Sequence, residues 1–590
     1  MSYHNNEMEK RLSNQEVVTI LKEVLAAMEV KEVNRFRIRA YQNAITAIES
    51  STFSVYDLWK KGRVDEIPGV GSSLAQHLDE LFTKGSVKNF TLLKRDLPEG
   101  MFDLIGIQGI GPKRAFKLAS ALNLLERDKA LAKVILAAEK KEIQDLPGFG
   151  EKIEAQLLES IQKMKKTKNE KPRLLWYQAD QIIQRVYSYM RQLDEVLEIE
   201  ALGSYRRKKE TVGDADFAVS TNNSEKVMKH FLKFPEIEEV LVEGDKKASV
   251  VASNGFQLDI RVVSPDQYGS MVQYFTGSKY HNISLRTYAL EKGCSVSEYR
   301  IKDVKTEKLH EFAAEKEFYE FLGLEYIPPE IRQGKEEVFL ASKNELPKLI
   351  DLSNVRGDVH MHTDFSDGVN TLKEMIEACI EKGYEYVGIS DHAPSVQSRG
   401  YDDVKKLIDS ERKKFDKLNE KYTEIEVLYG YEVNILADAN LGLPDEFLKK
   451  LDYVIVGIHT SFNQDREQLM RRMMVAIENP LVDIIAHPTG RLLNERDGLD
   501  LDWMTLFDEI KKHNKILEIN AQPNRLDLPY DLIREARNRG IKLIISSDAH
   551  STEMLDYMKH GVSLACRGWC KSSDILNTFS KEAFLKTVLG

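Results

Sequence analysis

Apolar residues along the chain follow three successive rhythms. Up to about residue 170 they recur at helical spacing, and EVVTILKEVLAAM and EAQLLESIQKM each lay an apolar stripe along one side of a helix. From about residue 195 the period shortens. VLEIEAL, DFAVST, EVLVEG, SVVAS and FQLDIRVVS are short β-type runs, which predicts a mixed α+β domain ending near LGLEYIPPEIRQGKEE (322–337). The following VFLASKNELPKL reads as a connector. In the last 240 residues seven apolar runs alternate with helical stretches: NVRGDVHMHT, YEYVGISDHA, IEVLYGYEVNI, DYVIVGIHT, LVDIIAHPTG, KILEINAQP and IKLIISSDAH. Strand then helix, repeated, predicts a parallel barrel or doubly wound sheet. Most of these runs carry a His, Asp or Glu near their C-terminal end, where α/β barrels place ligands and catalytic groups.

Composition matters mainly through its distribution. A chain of 590 residues, 42% hydrophobic and 30% charged, is expected to be globular with several domains. No apolar run approaches the roughly 18 residues that span a bilayer, and MSYHNNEMEK lacks the apolar core of a signal peptide. Four cysteines form neither a disulfide framework nor a zinc-finger spacing, so a cytoplasmic location without membrane contact is expected. The net charge of −10 belongs wholly to residues 351–590, while residues 1–350 sum to zero. That neutral part still holds basic patches: KEVNRFRIRA (31–40), KMKKTKNEKPR (163–173) and SYRRKK (204–209). Phosphate binding is a local matter, so such patches suffice for nucleic acid; a solvated face is the plainer reading of any one of them.

IPGVGSSLA (67–75), IQGIGPKRA (107–115) and LPGFGEKIE (146–154) repeat a Gly-x-Gly ahead of a helix-like run. Their first glycines are 40 and 39 residues apart, as in a duplicated unit. One copy alone is explained by a tight turn. Three with matched flanks resemble helix–hairpin–helix motifs, which grip the DNA backbone without reading sequence. On that basis Gly69, Gly71, Gly109, Gly111, Gly148 and Gly150 are candidate DNA contacts.

In GSYRRKKETVGDADFAV (203–219), strand alternation puts Asp214 and Asp216 on one face and turns Phe217 and Val219 to the core. FQLDIRVV sets Phe256, Leu258 and Ile260 on one face and Asp259 on the other. Three convergent carboxylates suit two hard cations, Mg²⁺ or Mn²⁺; a solvated strand is the alternative for an isolated DxD. With GS, RR, GDxD, YFTGS (274–278) and HNISLR (281–286) in order, residues 1 to about 335 resemble the family X DNA polymerases, DNA polymerase beta among them.

That resemblance implies roles. Asp214, Asp216 and Asp259 fall on the catalytic, metal-holding aspartates, with Asp259 helping to activate the primer 3′-hydroxyl. Ser204, Arg207 and Gly213 fall on the pocket for the triphosphate of the incoming dNTP. Tyr274, Phe275 and Gly277 match the segment beside the nucleotide sugar, and Asn282 and Arg286 match residues beside the nascent base pair. Arg37 and Tyr41 match contacts to a 5′-phosphate. The lyase lysine is replaced by His77, with Ser73 at the neighbouring basic position, so imine chemistry by that route is expected to be weak or absent. The reaction implied is templated synthesis on gapped or primed DNA, in short-gap base excision repair.

The six strand-end histidines of the last part stand beside Asp367, Glu432 and Asp548, and such mixed ligation suits Mn²⁺, Zn²⁺ or Fe²⁺. His513 follows a helix and is set aside. The motifs resemble the PHP (polymerase and histidinol phosphatase) family, a distorted (β/α)7 barrel holding up to three metals. Its ligand pattern falls on His360, His362, Asp367, His392, Glu432, His459, His487, Asp548 and His550. The implied activities are a metal-dependent 3′→5′ exonuclease, AP endonuclease and 3′-end processing. The multidomain partition expected is as follows: a helical 8-kDa-like DNA-binding domain (1–85), a helix–hairpin–helix region (86–172), a nucleotidyltransferase palm (173–262), a nucleotide-selecting or thumb subdomain (263–337), a linker (338–350) and the PHP domain (351–590). A monomer is expected. Two other readings are a DNA-binding scaffold that delivers a phosphoesterase, and a barrel acting as a small-molecule phosphatase.

Overall fold

Helices account for all the regular structure among the described residues of the first 172 positions, as the 3.6-residue rhythm predicts. The computed structural model describes residues 12, 14–50, 55–60, 62–67, 69–105, 107, 110–150, 153, 154, 157, 158, 161 and 173–588. The chain divides into two compact units, Met1–Pro172 and Arg173–Gly590. In the first, Asn14–Val30, Arg35–Ser50 and Ser72–Lys84 close around Val17, Leu21, Val24, Leu78 and Phe82, while Met101, Leu104, Leu118 and Val134 form a second core. Gly69 has a positive φ of 80°, and a Cβ there would lie 2.6 Å from the Ala44 nitrogen, so only glycine lets the turn pack on the Arg35–Ser50 helix. Gly71 and Gly111 cap the helices Ser72–Lys84 and Pro112–Ala121. Gly109 and residues 162–172 lie outside the described residues.

The second unit begins with a short antiparallel pair, β1 (Leu174–Leu175) and β3 (Thr211–Val212). The palm sheet follows, built from β2 (Glu198–Ala201), β4 (Asp214–Ser220), β5 (Ile237–Glu243), β6 (Lys247–Ala252) and β7 (Gln257–Val263) in the order β2-β4-β7-β6-β5. The β4–β7 pair is parallel and sets Asp216 opposite Asp259. Phe217, Val219, Ile260 and Val262 are buried against the helices Trp176–Met190 and Ser224–Phe231. Helices Tyr268–Thr276 and Lys279–Glu291 then lead to a three-stranded sheet of β8 (Cys294–Val296), β9 (Ile301–Asp303) and β10 (Leu309–His310).

The barrel strands are β11 (Gly357–Asp358), β12 (Tyr386–Ile389), β13 (Glu426–Asn434), β14 (Tyr453–Gly457), β15 (Ile484–Ile485), β16 (Ile516–Asn520) and β17 (Lys542–Ser546). They pair in parallel in sequence order, and a parallel bridge between Met361 and Ala549 nearly closes the ring. Each matches one of the seven apolar runs. The strands are buried on both sides, one in a core shared with the intervening helices and one in a core of their own that includes Tyr386, Leu428, Tyr453 and Ile484, which is why these runs read as continuously apolar rather than alternating.

The stretch 338–350 is not a loose tether. A helix, Glu337–Ala341, runs into it and buries Val338 and Ala341 in a core that also takes Trp569 from the barrel domain. Palm, thumb and barrel therefore share one unit. Among the described residues no helix is long and apolar enough to cross a membrane.

At the palm–thumb junction Glu315 accepts from Arg332 Nη1 at 2.5 Å and Arg206 Nη2 at 2.9 Å. Burial alone would raise the Glu315 carboxyl, but the two arginines pull it down to about 2. Replacing Glu315 with alanine strands Arg332, only 1% exposed, as an uncompensated charge. The expected loss is about 3–5 kcal/mol in urea unfolding of this unit; a loss below about 1 kcal/mol would contradict the buried-pair account.

Candidate active sites

Strand pairing brings the palm carboxylates together. Burial, then Asp214 and Asp259, raise the Asp216 carboxyl to about 6, the mark of like charges in one pocket. Ser249 and Gln257 donate to the two oxygens of Asp259, the latter at 2.9 Å. A carboxylate has about four lone-pair sites, so these bonds leave room for a cation.

Beside the carboxylates lies a cluster of cations around Arg207. Arg207 donates through Nη1 to the Thr276 carbonyl, beside Gly277, whose φ is 65°. Burial, then the nearby Arg567, Arg332 and Arg173, lower the Arg207 guanidinium to about 10. A Cβ on Gly213 would come within 2.9 Å of Arg173 Nη1, so that glycine keeps the pocket wall thin. Ser204 starts the turn, its carbonyl accepting from the Lys209 nitrogen at 3.0 Å. Tyr274 and Phe275 meet edge to face, with their centroids 5.1 Å apart, and Arg261 lies over Phe275. Asn282 Nδ2 donates to the Tyr274 carbonyl at 2.7 Å, tying the helix that carries exposed Arg286 to this segment. In the first unit, Tyr41 Oη lies 3.0 Å from His77 Nδ1, and His77 packs on Phe90. Burial and Arg37 both lower the His77 imidazole, keeping it neutral.

At the rim of the barrel the nine expected ligands converge on Glu432. Its Oε1 lies 2.8 Å from His459 Nε2 and 2.7 Å from His487 Nε2, and its Oε2 lies 3.0 Å from His392 Nδ1. His360 Nε2 and His362 Nε2 are 3.5 and 3.6 Å from the same Oε2. Asp548 Oδ1 stands 3.3 Å from His362 Nε2, and Asp367 Oδ2 is 3.4 Å from His392 Nε2 and 3.5 Å from His550 Nε2. Three sets have ligand atoms within 4.8 Å of one another: His362, Asp367, His392 and His550; His360, His362 and Asp548; and His392, Glu432 and His459. His360 Nε2 and both ring nitrogens of His362 are buried with no hydrogen-bond partner. Orphaned imidazole nitrogens facing carboxylates fit divalent cations. Burial would raise the Glu432 carboxyl, yet His459 and His360 hold it well below the usual range. His487 and Asp548 have φ of 29° and 53°, backbone strain of the kind stored at functional sites.

Sequence reasoning missed the supports. Glu518 Oε1 is 2.6 Å from His360 Nδ1 and its Oε2 accepts from the His487 nitrogen at 2.6 Å, fixing the ring so that Nε2 faces Glu432. A carboxylate in the middle of the largely apolar β16 run was the available signal. Asp391 accepts from the Thr363 nitrogen at 2.7 Å and Ser366 Oγ at 2.5 Å, setting the loop that carries Asp367. Arg525 Nε stands 3.9 Å from Asp548 Oδ2 and brings a cation to the rim.

Comparison with known proteins agrees with this layout. Residues 12–87 match the Helix-hairpin-helix domain and 101–163 the SAM-like Helix-hairpin-helix tandem. Residues 176–263 match the DNA polymerase beta palm, 271–333 the DNA polymerase beta thumb and 358–522 the PHP domain. Asp548 and His550 fall beyond that last match and join the site through the fold. The chain is 35% identical over 580 residues to the DNA polymerase/3′-5′ exonuclease PolX of Bacillus subtilis (strain 168), covering 98% of this chain and 100% of that one. A "Probable phosphatase" of Thermoanaerobacter sp. (strain X514) is 29% identical over 208 residues, 33% of this chain and 78% of its own. Another, from Caldanaerobacter subterraneus subsp. tengcongensis, is 28% identical over 207 residues, 33% of this chain and 75% of its own.

Replacing Glu518 with glutamine should weaken Mn²⁺ binding at the barrel about 10–100-fold by titration calorimetry; unchanged affinity would reduce Glu518 to a packing role. In the palm, a proton on Asp216 competes with metal. The Mn²⁺ concentration that half-saturates nucleotide incorporation should therefore rise as pH falls through about 6, where Asp216 takes up its proton. A flat profile from pH about 7.5 to about 5.5 would contradict this.

Proposed function

Because the chain belongs to the family X DNA polymerases that end in a PHP domain, and is thus a DNA polymerase with a 3′-5′ exonuclease, we propose that it fills short gaps in base excision repair and prepares the 3′ ends it extends. The observation that carries this reading is the barrel rim, where three sets of imidazoles and carboxylates are each placed to hold a metal ion, in one compact unit with palm carboxylates near enough to raise Asp216.

In the palm, Asp214, Asp216 and Asp259 would hold two Mg²⁺ or Mn²⁺ ions, and in the barrel the nine rim ligands would hold up to three Mn²⁺, Zn²⁺ or Fe²⁺ ions. When bound, the ions supply Lewis acidity to the attacking and leaving oxygens. Asp259 takes part in removing the proton from the primer 3′-hydroxyl. Ser204, Arg207 and Gly213 bind the triphosphate of the dNTP, and Arg207 neutralises charge on the departing pyrophosphate. Tyr274, Phe275 and Gly277 line the sugar, while Asn282 and Arg286 check the nascent pair. The Gly-x-Gly turns and Arg37 hold gapped DNA by its phosphates, with Tyr41 beside the 5′ end.

In the barrel, Glu432 would share in holding the metal ions, His360 and His487 are oriented by Glu518, and Arg525 meets a non-bridging phosphate oxygen. Beyond the exonuclease, the barrel opens apurinic sites and removes 3′-blocking groups; the likeness to probable phosphatases over 33% of the chain supports hydrolysis of a 3′-phosphate monoester. The chain acts as a monomer. The neutral, packed His77 supports binding of a 5′ end without imine formation.

On gapped DNA with Mn²⁺, replacing Asp259 with alanine should abolish synthesis, a loss of at least about 10³-fold, and spare 3′→5′ degradation. Replacing His360 with alanine should do the reverse. Loss of both activities from either change, in a protein that unfolds normally, would overturn the division. Borohydride should trap no adduct with 5′-deoxyribose-phosphate DNA; a trapped adduct would require a nucleophile other than His77.

A further inference from the structure

Three side chains of the barrel domain grip the palm around its cationic pocket. Asn494 Nδ2 donates to the Arg173 carbonyl at 2.8 Å, Arg491 Nη2 lies 3.7 Å from Glu210 Oε1, and Arg567 Nη1 donates to the Arg207 carbonyl at 2.9 Å. Arg567 is the most deeply placed, 3% exposed at the end of the helix Met558–Arg567, which packs against β16 and β17. Its guanidinium lies 4.5 Å over the Tyr530 ring, its Nη2 is 3.8 Å from Glu210 Oε2, and its carbonyl accepts from Gln333 Nε2 at 2.8 Å. One residue thus ties barrel, palm and thumb together.

We infer that Arg567 is a positioning residue of the polymerase reaction: by holding the carbonyl of Arg207, the barrel domain sets the affinity of the palm for the triphosphate of the incoming nucleotide. This rests on the reading of Arg207 as a triphosphate ligand. The turn that follows Arg207 needs such a hold. Lys208 sits in the left-handed region at φ 53°, a conformation that costs a lysine energy unless its surroundings enforce it. The outer fastening is the Arg567 bond on one side and Glu210, ion-paired with Arg567 and Arg491, on the other. Arg567 spends one donor, Nη1, on the residue that would meet the nucleotide, although its Nε is buried without a hydrogen-bond partner. Arg567 also adds positive charge beside Arg207 and Lys209, and that crowding is relieved when a polyanion enters. Without Arg567 the turn relaxes, the Arg207 side chain loses its aim, and ground-state binding of the triphosphate weakens more than the chemical step.

The test is steady-state filling of a one-nucleotide gap by the full-length protein. Arg567→Met should raise the KM for dNTP about tenfold while kcat changes less than about threefold, as for loss of uniform binding worth one charge-assisted hydrogen bond. The KM for pyrophosphate in the reverse reaction should rise in parallel, and Arg567→Lys, which keeps the charge and a donor but not the fork, should recover only part of the loss, leaving the dNTP KM raised about two- to fivefold. A dNTP KM at the wild-type value, or a fall in kcat with KM unchanged, overturns the inference. Should Arg567→Met fail to fold, Arg567→Lys decides alone: a KM raised about two- to fivefold supports the inference and a wild-type KM overturns it. Arg207→Ala separates the two levels. A raised KM there with a normal KM in the Arg567 variants removes only the inference, whereas a normal KM in Arg207→Ala removes the pocket reading and the inference with it.

Discussion

Groups that repel one another or lack partners, held together by parallel strands, are what the rest of this molecule is arranged around. In the palm the parallel pairing of β4 and β7 sets Asp216 beside Asp259 and two residues from Asp214, and burial with these like charges raises Asp216. In the barrel seven parallel strands deliver six imidazoles and three carboxylates to one rim, with buried imidazole nitrogens unpartnered. Neither arrangement is favourable by itself. Both become favourable with divalent cations, and each stands on a sheet whose core fixes the strand ends.

The two chemistries are opposed, one extending a 3′ end and one trimming it, and they share a rigid setting. Trp569 from the barrel domain fills the thumb core, Arg534 reaches Glu336, and Asn494 and Arg567 reach the palm backbone. The segment between them starts on a short helix, Glu337–Ala341, and goes on to pack Leu346, Leu349 and Ile350 on the neighbouring cores. The polymerase thus has a neighbour built into its walls. Arg567 illustrates the consequence: a side chain of the hydrolytic domain bonds the backbone of Arg207, the residue proposed to receive the nucleotide.

Much of this was legible in the sequence because the chemistry sits at strand ends. Each of the seven apolar runs became a barrel strand, and the nine ligands came to one rim although Asp548 and His550 lie far along the chain from the HMH motif. Alternation placed Asp214 and Asp216 on one face, but only the β4–β7 register shows them meeting Asp259. The supporting groups were not legible. Glu518, in mid-strand, and Asp391, just past a strand end, look like ordinary carboxylates until the hydrogen bonds to His360 and Thr363 are seen. The barrel's hold on the palm joins residues 321 and 360 positions apart, and no local pattern encodes such a contact. The 338–350 stretch read as a connector because its composition is mixed, whereas the packing of Val338 and Ala341 decides its structure.

The most direct test is a crystal of the full-length protein soaked in Mn²⁺ and measured for anomalous scattering. The account predicts two separate groups of peaks, one among Asp214, Asp216 and Asp259, the other of up to three around Glu432 with His360, His362 and Asp548 in contact. A single group of peaks, or metal lodged away from either set while those side chains point apart, would contradict it.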